Sequence, residues 1–502
     1  METLQQLIMG FHVAVTPLNL LLCFLGALAG TIIGALPGIG PSAGLAILLP
    51  LTFGMNPTSA MIMMAGLYCG AMYGGTITSV LINVPGESSS VMTCLDGYQM
   101  ALQGRAGKAL GIAAIGSFIA GTASVVFLML LSIPLVKFAL SFGPPEYFAL
   151  MLMGLCTIAG LTGGSVLKAL VGTFLGLLIS TPGMDAFSGL PRLTFGLTGL
   201  LGGVNFLVVA VGLFGIGEVL YNAEQIMKLE FVTEKIKIKE VWPNRAEWRV
   251  SAMPIIRGTF IGFIVGVLPG AGSTIASFMS YATEKRFSKH PELFGKGAIE
   301  GVAGPEAANN SATGGAMVPL LTLGIPGSGT TAIMLGALMM FGLQPGPLLF
   351  QKNPDFVWGV IASMYIGNIM LLIMNIACIP LFVKILKIPN ALLFPLIIVF
   401  ATVGVYSVDG NIFDVWMLYV FGVMGYFMKK FDMPPAPVVL SVVLGPMIER
   451  ALRQSLAMSL GSYDIFFTRP ISAVLLLVGL AAVVWPVIDM ARQRYRARTG
   501  NA

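Results

Sequence analysis

Histidine is almost missing from this chain: His12 and His290 are the only two in 502 residues. That leaves little material for a histidine metal cluster or proton relay. Cysteine is nearly as sparse. Cys23, Cys69, Cys94, Cys156 and Cys378 stand singly in apolar sequence, without the paired spacings of a disulfide framework or a metal site, and read as packing residues. No Gly-Lys-Ser/Thr follows a strand, so the chain carries no phosphate-binding loop and is not its own ATPase. A convergent nucleophile, base or metal constellation is lacking too, and the chain is read as a non-enzyme without cofactors.

Charge is the next absence. Asp, Glu, Lys and Arg make up 10% of the chain and apolar residues 56%, against roughly 25% charged in soluble domains. This excludes an ordinary water-soluble globule. Uncharged stretches such as Ala109 to Val136 and Phe356 to Val383 exceed the roughly 20 residues needed to cross a bilayer. The expected fold is an all-α polytopic membrane protein with about 10–12 transmembrane segments. The net charge of +6 lies mostly in loops and at the C-terminus, where it sets membrane orientation and not nucleic-acid binding. No Lys or Arg precedes Arg105, which argues against a cleavable signal peptide. The N-terminus is expected to face away from the cytoplasm, and the tail bearing Arg492, Arg494, Arg496 and Arg498 to lie inside.

A polar, basic-rich stretch over residues 224–257 divides the chain and reads as a cytoplasmic linker. It separates a first transmembrane repeat, 1–223, from a second, 258–470, with a terminal helix and basic tail at 471–502. The order of features repeats across it: a Leu-Pro-Gly break, a Gly-rich polar segment (Tyr68 to Thr78; Asn309 to Ala316), a Val/Ile-Pro-Gly break, then a long uncharged helix. Such duplication marks secondary transporters, with the site at the repeat interface. Inverted halves with broken or re-entrant helices fit an outside N-terminus and an inside linker. The cluster Glu284-Lys-Arg-Phe-Ser-Lys-His290 disagrees with the simplest count, so either it forms an interfacial amphipathic arm or the first break is a re-entrant hairpin.

Pro-Gly inside apolar sequence breaks a helix, and the freed amides and carbonyls must then be hidden in protein or a polar cavity. One such break is commonly mere packing; four matched ones point to a binding site. Candidate substrate- or ion-binding residues are Pro37, Gly38 and Ser42; Asn83, Pro85, Gly86, Glu87, Ser88 and Ser89; Pro269, Gly270, Gly272, Ser273 and Thr274; Asn309 and Asn310; and Pro326, Gly327, Ser328, Thr330 and Thr331. A half-helix starting after Pro-Gly aims its amides and positive dipole end at a carboxylate, while carbonyls of the preceding half suit Na⁺. No Lys or Arg lies within these segments, so a co-bound cation would supply the countercharge.

Glu87 stands inside the first Val-Pro-Gly motif, opposite Ser328 or Gly329 in the second half, and reads as a site or coupling residue or else a helix-end cap. Glu306 offers a further oxygen, with a loop cap as its plain alternative. Asp96 reads as a loop residue where the chain leaves the membrane. Lys168, Asp185, Arg192, Asp409 and Asp414 read as interfacial. The spacing Gly26, Gly30, Gly34 reads as helix packing.

These blocks together resemble one family. Gly30-Thr-Ile-Ile-Gly-Ala-Leu-Pro-Gly38, Asn83-Val-Pro-Gly-Glu-Ser-Ser-Ser90, Leu268-Pro-Gly-Ala-Gly272, residues 295–310 and Leu323-Gly-Ile-Pro-Gly327 are similar to the large membrane subunit of the tripartite tricarboxylate transporters, the TctA family. The likeness covers residues 15 to 460. It implies a multi-pass protein of the bacterial inner membrane, the translocating subunit of a Na⁺-coupled system for tricarboxylates or related carboxylates. Its implied partners are a small membrane subunit of about four helices and a periplasmic solute-binding protein, besides membrane lipid; no nucleic acid is implied. A passive anion channel and a carrier for aromatic acids are the alternatives.

Overall fold

A computed structural model describes every residue except Met1, Pro37, 162–164, Ala186, 225–240, 386–389 and 500–502. The first half of the sequence contains α1 (Glu2–Ala14), α2 (Pro17–Ala35), α3 (Gly40–Leu48), α4 (Pro57–Ile82), a helical run over residues 88–102, α5 (Ala106–Ala139), α6 (Pro144–Leu161), α7 (Val166–Ile179) and α8 (Phe206–Glu224). The second contains α9 (Arg245–Val267), α10 (Gly272–Phe287), α11 (Glu300–Leu323), α12 (Gly329–Met340), α13 (Pro347–Lys352), α14 (Pro354–Ala377), α15 (Ile379–Ile385), α16 (Asn390–Asp409), α17 (Ile412–Lys430), α18 (Ala436–Met458) and α19 (Pro470–Thr499). Among the described residues the only sheet is a hairpin of β1 (Gly183–Met184) and β2 (Pro191–Arg192), with Gly183 opposite Arg192.

The chain is thus an all-α polytopic membrane protein. Among the described residues eight helices are long and apolar enough to cross a bilayer: α2, α4, α5, α8, α9, α14, α16 and α17. The uncharged stretch 356–383 is divided, because α14 ends at Ala377 and α15 starts at Ile379. Pro380 cannot donate an amide to continue the earlier helix and suits the first turn of the next. Residues 225–240 of the expected linker lie outside those described, and its last part, from Arg245, already forms the start of α9 under an Asn244–Glu247 capping box.

Two tight helix pairs set the frame. A Cβ on Gly26, Gly30 or Gly34 of α2 would run into the carbonyls of Met63, Leu67 and Ala71 of α4. Likewise Gly258, Gly262 and Gly266 of α9 abut the carbonyls of Gly304, Ala308 and Ala312 of α11. Residue numbers rise together within each pair, so both pairs run parallel, with backbones as close as small-residue packing allows. The Gly26–Gly34 spacing therefore serves packing.

The two pairs enter from opposite faces. Lys108 at the start of α5 donates to the Trp242 carbonyl (2.6 Å) and pairs with Glu247 (3.4 Å), which fixes the linker face. From that face α9 runs inward to Leu268 and α10 returns alongside it, so Glu284 of α10 meets Arg257 of α9. α9 and α10 are therefore a re-entrant hairpin, and the cluster at 284–290 sits on the linker face. α4 runs toward that same face, since the 88–102 run leads from it to Arg105. Parallel α2 and its return arm α3 form the corresponding hairpin from the opposite face.

Two polar devices hold these parts. Asp96 is fully buried in a π-helical turn, Cys94–Tyr98, and not in a loop. Its Oδ1 accepts the amides of Gly295 (2.9 Å), Gly297 (2.8 Å) and Ala298 (2.8 Å), and its Oδ2 the Tyr281 hydroxyl (2.8 Å). Asp185, outside the membrane, is held below the usual carboxylate range by the Ser188 amide, Arg453 and the Phe187 amide. Glu284 is 1% exposed, so Arg257→Gln is expected to cost about 3 kcal/mol by leaving a buried carboxylate unpaired. Thermal unfolding in detergent checks this, and Arg257→Met with Glu284→Met should recover most of the loss.

Candidate functional site

Each hairpin tip is shaped by glycine. After α2, Gly38 and Gly40 adopt φ of 84° and 65°; after α9, Gly270 and Gly272 adopt 83° and 62°. Only glycine takes these angles without strain. The later breaks match as closely. α4 ends on left-handed Asn83 (φ 54°) and α11 on left-handed Gly324 (φ 71°). Non-helical Val84-Pro85-Gly86 and Ile325-Pro326-Gly327 follow, and the next turns begin with reciprocal capping boxes, Glu87 with Ser90 and Ser328 with Thr331. The counterpart of Glu87 is therefore Ser328.

All four breaks border one cavity of about 870 Å³. Gly38 and Ser42 line it from the first tip, Gly270, Gly272, Ser273 and Thr274 from the second, and Pro85, Gly86, Glu87, Ser88, Ser328 and Thr330 from the later breaks. Each tip reaches the other half: Ser42 Oγ lies 3.0 Å from Thr330 Oγ1, and Thr274 Oγ1 lies 2.9 Å from Ser88 Oγ. First-turn amides of α3, α10 and α12 lack intrahelical partners by position and converge here with the positive ends of their dipoles. Phe214, on the π-helical turn Val211–Ile216 within α8, adds an aromatic wall.

The acid at the breaks is Glu87, 6% exposed. Its Oε2 accepts the Ser89 amide (2.8 Å), while Ser89 Oγ contacts Oε1 and also lies 2.6 Å from Asn309 Oδ1. Asn309 Nδ2 donates to Oε1 at 3.2 Å. Three oxygens thus converge where Ser89 supplies one proton, and no Lys, Arg or His pairs with Glu87 among the described residues. Glu306, 1% exposed and in mid-helix on α11, not in a loop, accepts from Thr76 (2.7 Å) and Thr93. It also lacks a cationic partner among the described residues. A buried carboxylate without countercharge is expensive, and such groups in membrane proteins mark ion or substrate paths.

The remaining expected residues sit behind this lining. Ser89 and Asn309 form the wall under Glu87, and Asn310 donates to Ser117 Oγ at 2.7 Å. Pro269, Pro326, Gly327 and Thr331 shape the breaks without bordering the cavity, and Asn83 is an exposed turn residue. Pro37 lies outside the described residues. Sequence reading missed the mouth of the cavity. There Asn222 of α8 donates to the Gly38 carbonyl (3.2 Å), and Lys429 of α17 pairs with Glu218 (2.5 Å). Lys429 corrects the expectation of a site free of Lys and Arg: none lies in the four segments, yet a distant helix brings one to their edge. The ionisable residues lining the cavity, Glu87, Glu218 and Lys429, sum to a formal charge of one negative unit.

Broken helices from opposite faces, meeting around a polar cavity inside an apolar bundle, are the architecture of a membrane transport protein. Residues 20–440 match the family described as "Tripartite tricarboxylate transporter TctA family", and the chain belongs to that family as its large membrane subunit. The family works in three-part systems, which implies a small membrane subunit and a periplasmic binding protein in general. The chain is 48% identical over 494 residues, 98% of both chains, to "Uncharacterized 52.8 kDa protein in TAR-I ttuC' 3'region" of Agrobacterium vitis. It is 47% identical over 233 residues, 46% of this chain and 96% of the relative, to "Uncharacterized protein in TAR-II ttuC' 3'region" of the same organism. No solved structure matches.

Proposed function

We propose that this chain is the translocating subunit of a secondary-active, Na⁺-coupled, binding-protein-dependent uptake system for tricarboxylates or related carboxylates in the bacterial inner membrane. One observation carries the reading. The cavity offers amide ends and hydroxyls suited to an anion, yet the formal charges of its lining side chains sum to one negative unit. An anion would be repelled there unless a cation entered with it. Glu87 Oε1, Ser89 Oγ and Asn309 Oδ1, with carbonyls of the breaks, form the proposed Na⁺ ligands, and Lys429 would exchange Glu218 for a substrate carboxylate. Each unit charge moving down 100 mV releases about 2.3 kcal/mol, which powers accumulation.

In this reading the halves are inverted repeats. The equivalence of Gly34 with Gly266, Asn83 with Gly324 and Glu87 with Ser328 supports it, as do hairpins entering from opposite faces. The basic character of the linker supports a cytoplasmic position for its face under the positive-inside rule. Labelled citrate uptake into proteoliposomes holding both partner subunits should require an inward Na⁺ gradient. Uptake unchanged when choline replaces Na⁺ would remove the coupling, and downhill flux without saturation would favour a passive channel. Ser88→Val with Thr274→Val, which removes the contact between a tip and the opposite break, should lower kcat/KM about 10-fold while the unfolding temperature holds.

A further inference from the structure

A second cavity, about 600 Å³, lies beyond the first along three shared helices. α6 contributes Ile158 to the central cavity and Met151 to this one; α12 contributes Thr330 and then Met339; α18 contributes Ala436 and then Met447. Thr330 and Met339 are nine residues apart, about 14 Å along the helix axis. Between the cavities Leu155, Ile333, Leu335, Leu338 and Val439 are buried in one apolar cluster, so the two are closed from each other. The second cavity lies on the face opposite the linker, beside Gly143 in the turn after α5 and the loop after α12.

Its chemistry differs from that of the central cavity. Among the described residues no Asp or Glu lines it, nor the adjoining pocket of about 250 Å³ that shares Gly342, Gln344 and Leu348. Arg450 lines the larger space and Lys352 the smaller, both exposed and neither with a hydrogen bond or ion pair among the described residues. The neighbouring arginines are all engaged: Arg192 and Arg453 with Asp185 and Glu449, and Arg469 with Glu146. Glu449, next to Arg450 in sequence, is thus already committed elsewhere. Arg450 in the larger space and Lys352 in the adjoining one, with Gln344 and Gln454 and no acid among the described lining residues, set unpaired positive charge on an otherwise mainly apolar basin. Such a basin concentrates anions at a channel mouth.

We infer that this basin is a second, peripheral carboxylate station on the face opposite the linker, which receives a di- or tricarboxylate before it passes along α12 to the central cavity. The inference rests on the carboxylate-transport reading for its direction of travel, but the station's occupancy can be tested without transport. Gln454 is exposed and lines the basin. Gln454→Cys in the full-length protein should react with a membrane-impermeant maleimide. At ten times its Kd, citrate, malate or succinate should slow that reaction about 10-fold, since the station is then free about one-tenth of the time. Sodium chloride and inorganic phosphate at matched ionic strength should not.

Adding Arg450→Gln and Lys352→Gln should abolish the protection, and should raise KM for uptake from that face without changing KM for flux from the linker face. Both side chains are exposed and unpaired, so packing is not at stake. Protection by none of the three acids, protection that survives the double substitution, or equal protection by phosphate overturns the station. Protection without any uptake supports it and removes the transport reading instead.

Discussion

Citrate uptake by the Glu87→Gln protein is expected to fall about 100-fold, or about 2.7 kcal/mol, with the fold intact. The substitution separates two roles held by one side chain. As an N-cap, residue 87 needs an oxygen to accept the Ser89 amide, 2.8 Å away, and a glutamine carbonyl provides it. As a countercharge it needs the negative charge, which glutamine lacks. The glutamine amide can also donate to Asn309 Oδ1, filling with a proton donor the space proposed for a cation. Uptake should therefore lose its response to Na⁺, while thermal unfolding shifts little. Activity above about one-third of wild type would reduce Glu87 to a cap. Ser328→Ala at the matching position should cost about 1 kcal/mol of stability, the ordinary worth of a cap.

The difference between these two caps bears on what the sequence reveals. Pro85-Gly86 and Pro326-Gly327 announce themselves, because proline lacks an amide and glycine lacks a side chain, and both effects are local. The breaks and their hydroxyls were legible for that reason, and so was the apolar helical class. The partners of those breaks were not. Asn222 and Lys429 reach the cavity from α8 and α17, far along the chain, and no local pattern distinguishes them from ordinary residues near helix ends. Asp96 read as a loop residue because Asp-Gly commonly marks turns; three amides from residues 295–298 override that tendency. The Glu284–His290 cluster resisted a simple topology because a hairpin that enters and leaves by one face adds two arms without adding a crossing.

Gly34→Leu and Gly266→Leu are each expected to abolish accumulation of folded protein in the membrane. A Cβ at Gly34 would overlap the Ala71 carbonyl, and one at Gly266 the Ala312 carbonyl. Both obstacles are helix backbone, which cannot swing aside as a side chain can. Relief requires parting α2 from α4, or α9 from α11, along their whole seam. Overpacking ordinarily costs about 1–3 kcal/mol, and a backbone collision at the inner end of a carbonyl-lined seam, beside the hairpin tip, exceeds that range. Gly202→Ala is the control: a Cβ there meets nothing within 4 Å, and its φ is not positive, so stability should stay within about 0.5 kcal/mol. Size-exclusion profiles and surface labelling of the three proteins would measure the contrast. Two well-behaved leucine variants would mean that the seams yield more than their close packing implies.

The re-entrant hairpins also constrain how the protein can be made. α3 has nine residues, too few to cross a bilayer, which needs about 20. α10 has sixteen and carries Glu284, Lys285 and Arg286 at its end. Neither arm can hold itself in lipid, and neither tip can leave its open amides there without a protein cover. On the ribosome, then, the first tip must wait for α4, and the second for α11, before it can settle at depth. Membrane insertion of this subunit is therefore out of register with its synthesis at two places, with each half-buried loop drawn in by a helix translated after it.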